Sequence, residues 1–201
     1  SPAIADINND GKNDLIIAST DQVYIFNSDA TIISGWSFKM RVWQSDNWGS
    51  QDSYPQERTK EWISLSSPVI VDLNKDGNSE IIIGVGVYGD YLSGTNNIKS
   101  SYSYRIGGKI YALNKDGIIL WSKELGVPIR SSPAVADIDG DGYVEIIISG
   151  GDYYSLDRYV YILDYKGSEK LKIDLGDFYA IEASPAVADI DLDGKLEIII
   201  A

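Results

Sequence analysis

Four short apolar runs recur along this chain, at residues 15–17, 81–83, 146–148 and 198–200; three read Ile-Ile-Ile and the first reads Leu-Ile-Ile. Each follows a Ser-Pro-led run of small and β-branched residues, at 1–5, 67–71, 132–136 and 184–188, across a polar connection. Short β-branched runs bounded by turn residues read as buried strands. A second pair of apolar runs lies between these units, at residues 23–33, 109–121 and 159–171, each broken by a tight polar turn. No stretch sustains helical periodicity. Each repeat is therefore predicted to hold four strands: inner A, then B, C and D. Four-stranded units recurring at about 40–65 residues mark a β-propeller. The predicted fold class is all-β, a β-propeller with four-stranded blades. The chain supplies three full blades and half of a fourth, with repeats near 1–65, 66–130, 131–182 and 183–201 of a single domain. Small Ala and Val residues on strand A suit a crowded centre.

The A–B connection is the same polar loop each time. Counted from its first Asp, it offers side-chain oxygens at positions 1, 3, 5 and 9, with Gly at 6. In loop one these are Asp6, Asn8, Asp10 and Asp14, and in loop two Asp72, Asn74, Asp76 and Glu80. Loop three has Asp137, Asp139, Asp141 and Glu145, and loop four Asp189, Asp191, Asp193 and Glu197. Position 7 (Lys12, Asn78, Tyr143, Lys195) varies in chemistry, as expected of a residue that offers only its backbone carbonyl. Ca2+ takes about six to eight oxygens, and a turn of alternating Asp residues wraps them around one point. The expected cofactor is therefore structural Ca2+, at up to four sites. An EF-hand is excluded because it requires a Glu at position 12, where this chain has Ile17, Ile83, Ile148 and Ile200. One copy alone would equally be a polar turn; four aligned copies favour the cation. The similar segment 114–117 has Ala112 where the first Asp should stand and reads as a plain turn. Loops one and two replace one carboxylate with Asn, so loops three and four are expected to bind more tightly.

These loops and their frame resemble the FG-GAP/VCBS repeat family, the Ca2+-loop propeller repeats also found in the head of integrin α subunits. Ser-Pro-Ala stands where that family has its Phe-Gly and Gly-Ala-Pro, and residues 109–121 also resemble a quinoprotein-type blade. The resemblance implies a propeller closed by about seven blades, the remainder belonging to a longer parent chain.

The net charge is −13, yet 14 of the 30 acidic residues are loop carboxylates. The acidity is thus mostly a metal-binding signature, and nucleic acid is not an expected partner. With no Cys and no His, disulfide frameworks, thiol nucleophiles, Ser-His-Asp catalysis and the usual zinc sites are excluded. No span has the apolar length of a transmembrane helix. Ca2+ sites lean toward an extracellular or cell-surface location, where the ion is abundant.

Propeller topology sorts the loops. The calcium loops and the C–D turns share one face, and the long insertions (36–66, 87–107 and 150–158) share the other. Those insertions and the D–A connections carry four of the five Trp, many Tyr and all five Arg. Trp, Tyr and Arg dominate binding hot spots, and aromatic faces also stack on sugar rings. Trp43, Trp48, Arg105, Arg130 and Tyr153 are the candidate ligand-binding residues; any single Trp could instead pack a satellite core beneath its own loop. The leading expectation is an extracellular, non-catalytic module that binds a glycan or protein ligand opposite its calcium loops. The family resemblance implies one alternative, a rhamnogalacturonan-lyase-like enzyme, with Tyr179 or Glu182 as base and Arg130 as electrostatic partner. A purely architectural surface segment is the other.

Overall fold

The computed structural model describes residues 1–19, 22–33, 38–39, 58–93, 100–151, 158–176 and 183–200. The described residues are all-β, in antiparallel sheets. The first sheet runs in the order β1 (Ala3–Ala5), β2 (Asp14–Ala18), β3 (Gln22–Phe26), β4 (Phe38–Lys39). The second is built on β5 (Arg58–Leu65), β6 (Val69–Val71), β7 (Glu80–Ser93), β8 (Ser100–Leu113) and β9 (Ile119–Glu124). In it β6 pairs with the start of β7, β5 with its far half, and β8 lies between β7 and β9. The third sheet is β10 (Ala134–Ala136), β11 (Glu145–Gly151), β12 (Arg158–Leu163) and β13 (Glu169–Asp174). A final pair joins β14 (Ala186–Ala188) to β15 (Glu197–Ile199).

The Ile triplets explain how the sheets pack. Successive side chains on a strand point to opposite faces. On β7, Ile81 and Ile83 share a core with Ile16, Val23 and Ile25 of the first sheet, while Ile82 enters a core with Ile146, Ile148 and Leu163 of the third. The third sheet repeats the arrangement: Ile146 and Ile148 face backward, and Ile147 packs forward against Val187 and Ile198. Each strand is buried on both faces, which is why its sequence is apolar without alternation. Each such fully buried Ile contributes roughly 1.5–3 kcal/mol relative to exposure.

The Ser-Pro segments that lead into β6, β10 and β14 are tied to one another. The Ser67 N–H donates to Ser132 Oγ at 3.1 Å, and the Ser132 N–H to Ser184 Oγ at 2.9 Å. Behind this ladder, buried Ser66 Oγ accepts the Gly84 N–H at 2.9 Å, and Ser131 Oγ donates to Ser149 O at 2.6 Å. The connection from β9 to β10 crosses a glycine-lined floor. A Cβ on Gly108 would lie 2.4 Å from Val127 O, and one on Gly150 would lie 2.5 Å from Ile129 Cδ1.

Three expectations for the insertions are corrected. Of residues 87–107, expected as a loop, 87–93 continue β7 and 100–107 belong to β8, the two paired antiparallel as a long extension of the sheet. Their Tyr/Ser alternation around Tyr102 and Tyr104 is a strand pattern without the aliphatic residues that usually announce one. The end of the first insertion is β5, which pairs with the second sheet rather than forming a loop of the first. Arg158 is not a loop residue: it begins β12, is buried, and donates from Nη1 to Gly176 O at 3.2 Å.

Candidate metal centre

All four loops are organised by one hydrogen-bond pattern. The position 1 carboxylate accepts the Gly N–H of position 6: Asp6 from Gly11 at 2.8 Å, Asp72 from Gly77 at 2.9 Å, Asp137 from Gly142 at 2.8 Å and Asp189 from Gly194 at 2.9 Å. Position 3 accepts the N–H of position 5, and position 5 accepts the N–H of position 7, as in Asp10 to Asn8 and Lys12 to Asp10. With the N–H of position 7 already turned inward to the position 5 carboxylate, the ring does not depend on that residue's side chain, although Asn78 Nδ2 and Lys195 Nζ add contacts to the same carboxylate at 2.9 and 3.4 Å. The varied Lys12, Asn78, Tyr143 and Lys195 fit there for that reason.

Position 9 closes the loop from the first residue of strand B. The carboxylate accepts the N–H of position 2: Asp14 from Ile7 at 3.2 Å, Glu80 from Leu73 at 2.9 Å, Glu145 from Ile138 at 3.0 Å and Glu197 from Ile190 at 2.9 Å. Asp14, Glu80 and Glu145 are each no more than 2% exposed. Burial pushes the Asp14 and Glu80 carboxyls above the ordinary carboxylate range, with neighbouring loop acids adding to the shift. Oδ1 of Asp14 is buried with no hydrogen-bond partner. A buried, partnerless carboxylate oxygen beside Asp6, Asn8 and Asp10 is the environment a hard cation relieves, and the all-oxygen donor set suits Ca2+. In loops three and four, carboxylate oxygens of Asp137, Asp139 and Glu145, and of Asp189, Asp191 and Glu197, come within 4.8 Å of one another and could hold a metal ion.

Two features of the loops escaped sequence reasoning. The first is backbone shape: position 4 is left-handed in every copy, at Asn9 (φ 60°), Lys75 (φ 62°), Gly140 (φ 76°) and Leu192 (φ 63°). Only Asn9 and Gly140 hint at it, because Lys and Leu rarely adopt that conformation. The second is Lys170 of β13, whose Nζ lies 2.5 Å from Asp139 Oδ2 and 2.8 Å from Glu145 Oε1. These contacts raise the Lys170 pKa and hold Asp139 below the ordinary carboxylate range. Adjacent loops also touch. Asn9 Nδ2 donates to Asn78 Oδ1 at 3.0 Å, and Lys75 Nζ sits 4.5 Å from the centre of the Tyr143 ring, which stacks on Tyr165.

The candidate ligand-binding residues are less fully placed. Trp43, Trp48 and Tyr153, with Tyr179 and Glu182, lie outside the described residues. Arg105 is on β8, in the half of the hairpin remote from the acidic loop. Arg130 is exposed on the connection between β9 and β10, also at the end away from the loops. The segment 114–117 is a hydrogen-bonded turn, with Gly117 N donating to Asn114 O at 2.9 Å. Among the described residues, no helix is long and apolar enough to cross a membrane.

Comparison with known proteins bears on both fold and loops. The whole chain superposes on the exotype rhamnogalacturonan lyase YesX (TM-score 0.58, 17% identity, 38% of that protein's length). It likewise superposes on the Bacillus licheniformis rhamnogalacturonan lyase PL11 (TM-score 0.57, 19% identity) and on rhamnogalacturonan lyase YesW (TM-score 0.58, 17% identity), over 39% of each. The chain thus spans well under half the length of these enzymes, and at such identities the likeness is one of fold. No curated protein matches it in sequence. Residues 137–200, which contain loops three and four, match the FG-GAP-like repeat. That segment, about a third of the chain, is thus an FG-GAP-like repeat.

Proposed function

We propose that this chain is a Ca2+-braced β-propeller segment acting as an extracellular or cell-surface binding module. The observation that carries the reading is the buried, partnerless Asp14 Oδ1, set in a loop whose hydrogen-bond pattern recurs four times. Bound Ca2+ would neutralise the loop carboxylates and pin strand A to strand B, with positions 1, 3, 5 and 9 supplying side-chain oxygens and position 7 a carbonyl. Contacts between successive inner strands, from β1 to β6, β10 and β14, support blades arranged around an axis. The blades would be the repeats near 1–65, 66–130, 131–182 and 183–201, with β5, at the end of the first repeat, added to the sheet of the second. Ile199, 39% exposed on the face that its counterparts Ile82 and Ile147 bury, suits a further blade.

The rigid loops would brace the opposite end of the sheets, where Arg105 and Arg130 lie, to hold a glycan or protein ligand together with Trp43, Trp48 and Tyr153. Loops on a rigid scaffold are the usual place for recognition. Likeness over the whole chain to three rhamnogalacturonan lyases favours a polysaccharide among such ligands, and supports a polysaccharide-cleaving parent as the second reading. One experiment addresses both. The Ca2+-loaded protein is incubated with neutral and uronate polysaccharides, and retention and unsaturated product are read together. Retention without product is the expected result, new double bonds would establish the lyase reading, and neither signal would refute polysaccharide recognition. Melting unaffected by chelator would refute the calcium brace.

A further inference from the structure

The three complete sheets can be aligned residue by residue through their registers. Strand C pairs the residue after position 9 with Phe26, Leu113 and Leu163, and these pair in turn with Ile32, Ile119 and Glu169. The next residue outward is therefore Ile33 in the first sheet, Leu120 in the second and Lys170 in the third. Two of these equivalent positions are aliphatic. The third carries an ammonium that reaches back across the sheet into its own loop. Its partners are two of the three carboxylates that converge there, and one of them, Glu145, is almost fully buried.

We infer that Lys170 is the resident cation of loop three, a tethered ammonium that braces Asp139 and Glu145 without metal and that Ca2+ must displace to bind. This rests on the reading that the loops are Ca2+ sites. Calcium and Lys170 compete for the same oxygens, Oδ2 of Asp139 and Oε1 of Glu145. An ammonium gives one charge and directional hydrogen bonds, whereas Ca2+ gives two charges and gathers six to eight oxygens. Lys170 therefore supports the loop when calcium is scarce and lowers its apparent affinity when calcium is present. By carboxylate count, loops three and four form a matched tight pair. Lys170 separates them, leaving loop three weaker than loop four and its hairpin less dependent on metal.

The test compares the full chain with Lys170→Leu, which installs the residue found at the equivalent place in the second sheet. Lys170→Met keeps most of the aliphatic stem and serves if the Leu variant folds poorly; Lys170→Arg keeps the charge. Calcium binding is followed by calorimetry. Terbium emission sensitised through Tyr143 at position 7 reports loop three, with Tyr143→Leu as the control for that assignment. The neutral variants are expected to bind one ion about tenfold more tightly, the equivalent of one charge-assisted hydrogen bond no longer to be broken. In chelator they are expected to melt below the parent, and Lys170→Arg is expected to behave as the parent does. Unchanged affinities in the neutral variants, alongside calcium binding at the other loops, would overturn this inference and leave the calcium brace standing. No calcium binding by parent or variant would overturn both.

Discussion

Replacing Asp14 with Asn tests whether loop one is a metal site or a well-capped turn. Asp14 is 1% exposed, its Oδ2 accepts the Ile7 N–H at 3.2 Å, and its Oδ1 has no partner. Asn has the same shape and keeps an acceptor for Ile7, and its amide nitrogen takes the place of an oxygen already without a partner. The substitution therefore removes a charge and little else. In chelator, burial holds the Asp14 pKa above its ordinary value, so the folded state binds this proton more tightly than the unfolded chain does. The stability from that proton is fully present below the ordinary carboxylate range and is lost as pH rises through the raised pKa. At neutral pH the Asn variant avoids that loss, so without calcium it melts no lower than the parent, and its melting temperature varies less with pH. With calcium the order reverses. A ligand present at 100 times its Kd contributes about 2.7 kcal/mol, and a site weakened about a hundredfold retains only about 0.4 kcal/mol. The difference of roughly 2 kcal/mol corresponds to about 5–9 °C in a domain of this size. Melting curves by circular dichroism, with calcium and with chelator between about pH 4 and 8, measure both arms. An equal fall in melting temperature under both conditions would show that Asp14 only caps the turn, and would refute the argument from its partnerless oxygen.

Further outcomes follow from packing and backbone shape. Gly108→Ala places a methyl group 2.4 Å from Val127 O, a backbone atom that cannot swing aside, and should cost about 1–3 kcal/mol, read from the urea midpoint. Ser66→Ala leaves the buried Gly84 N–H without its acceptor and should cost a similar 1–3 kcal/mol or so, with or without calcium. Leu192→Gly relieves a left-handed residue at φ 63° that is also 85% exposed, and should raise stability by up to about 1 kcal/mol; a drop would show that the Leu side chain has a contact role.

The loops were legible because their chemistry is local. The backbone N–H groups that close loop two on its own side chains, from Asp72 to Glu80, donate to residues at most seven apart, so the spacing of Asp, Asn and Gly specifies the ring. The strands beside them were legible because a strand buried on both faces must be apolar throughout, and Ile81, Ile82 and Ile83 are. The long hairpin of β7 and β8 was not, because its outer half is built from Tyr, Ser and Gly and is recognised by pairing between strands rather than by composition. The left-handed turn at Lys75 and Leu192 was hidden for the opposite reason: the loop imposes a conformation that the residue itself disfavours.

By itself, then, the sequence determined that this is an all-β repeat carrying four acidic loops, because periodic apolar runs and short-range side-chain caps act over a few residues. The tertiary structure alone decided which sheet receives β5, which glycines make room for the β9–β10 connection, and that Lys170 sits among the carboxylates of loop three. Lys170 is 31 residues from Asp139 along the chain and hydrogen-bonded to it in the fold. Only strand register could bring that charge to that loop, because register sets which side chains meet across a sheet.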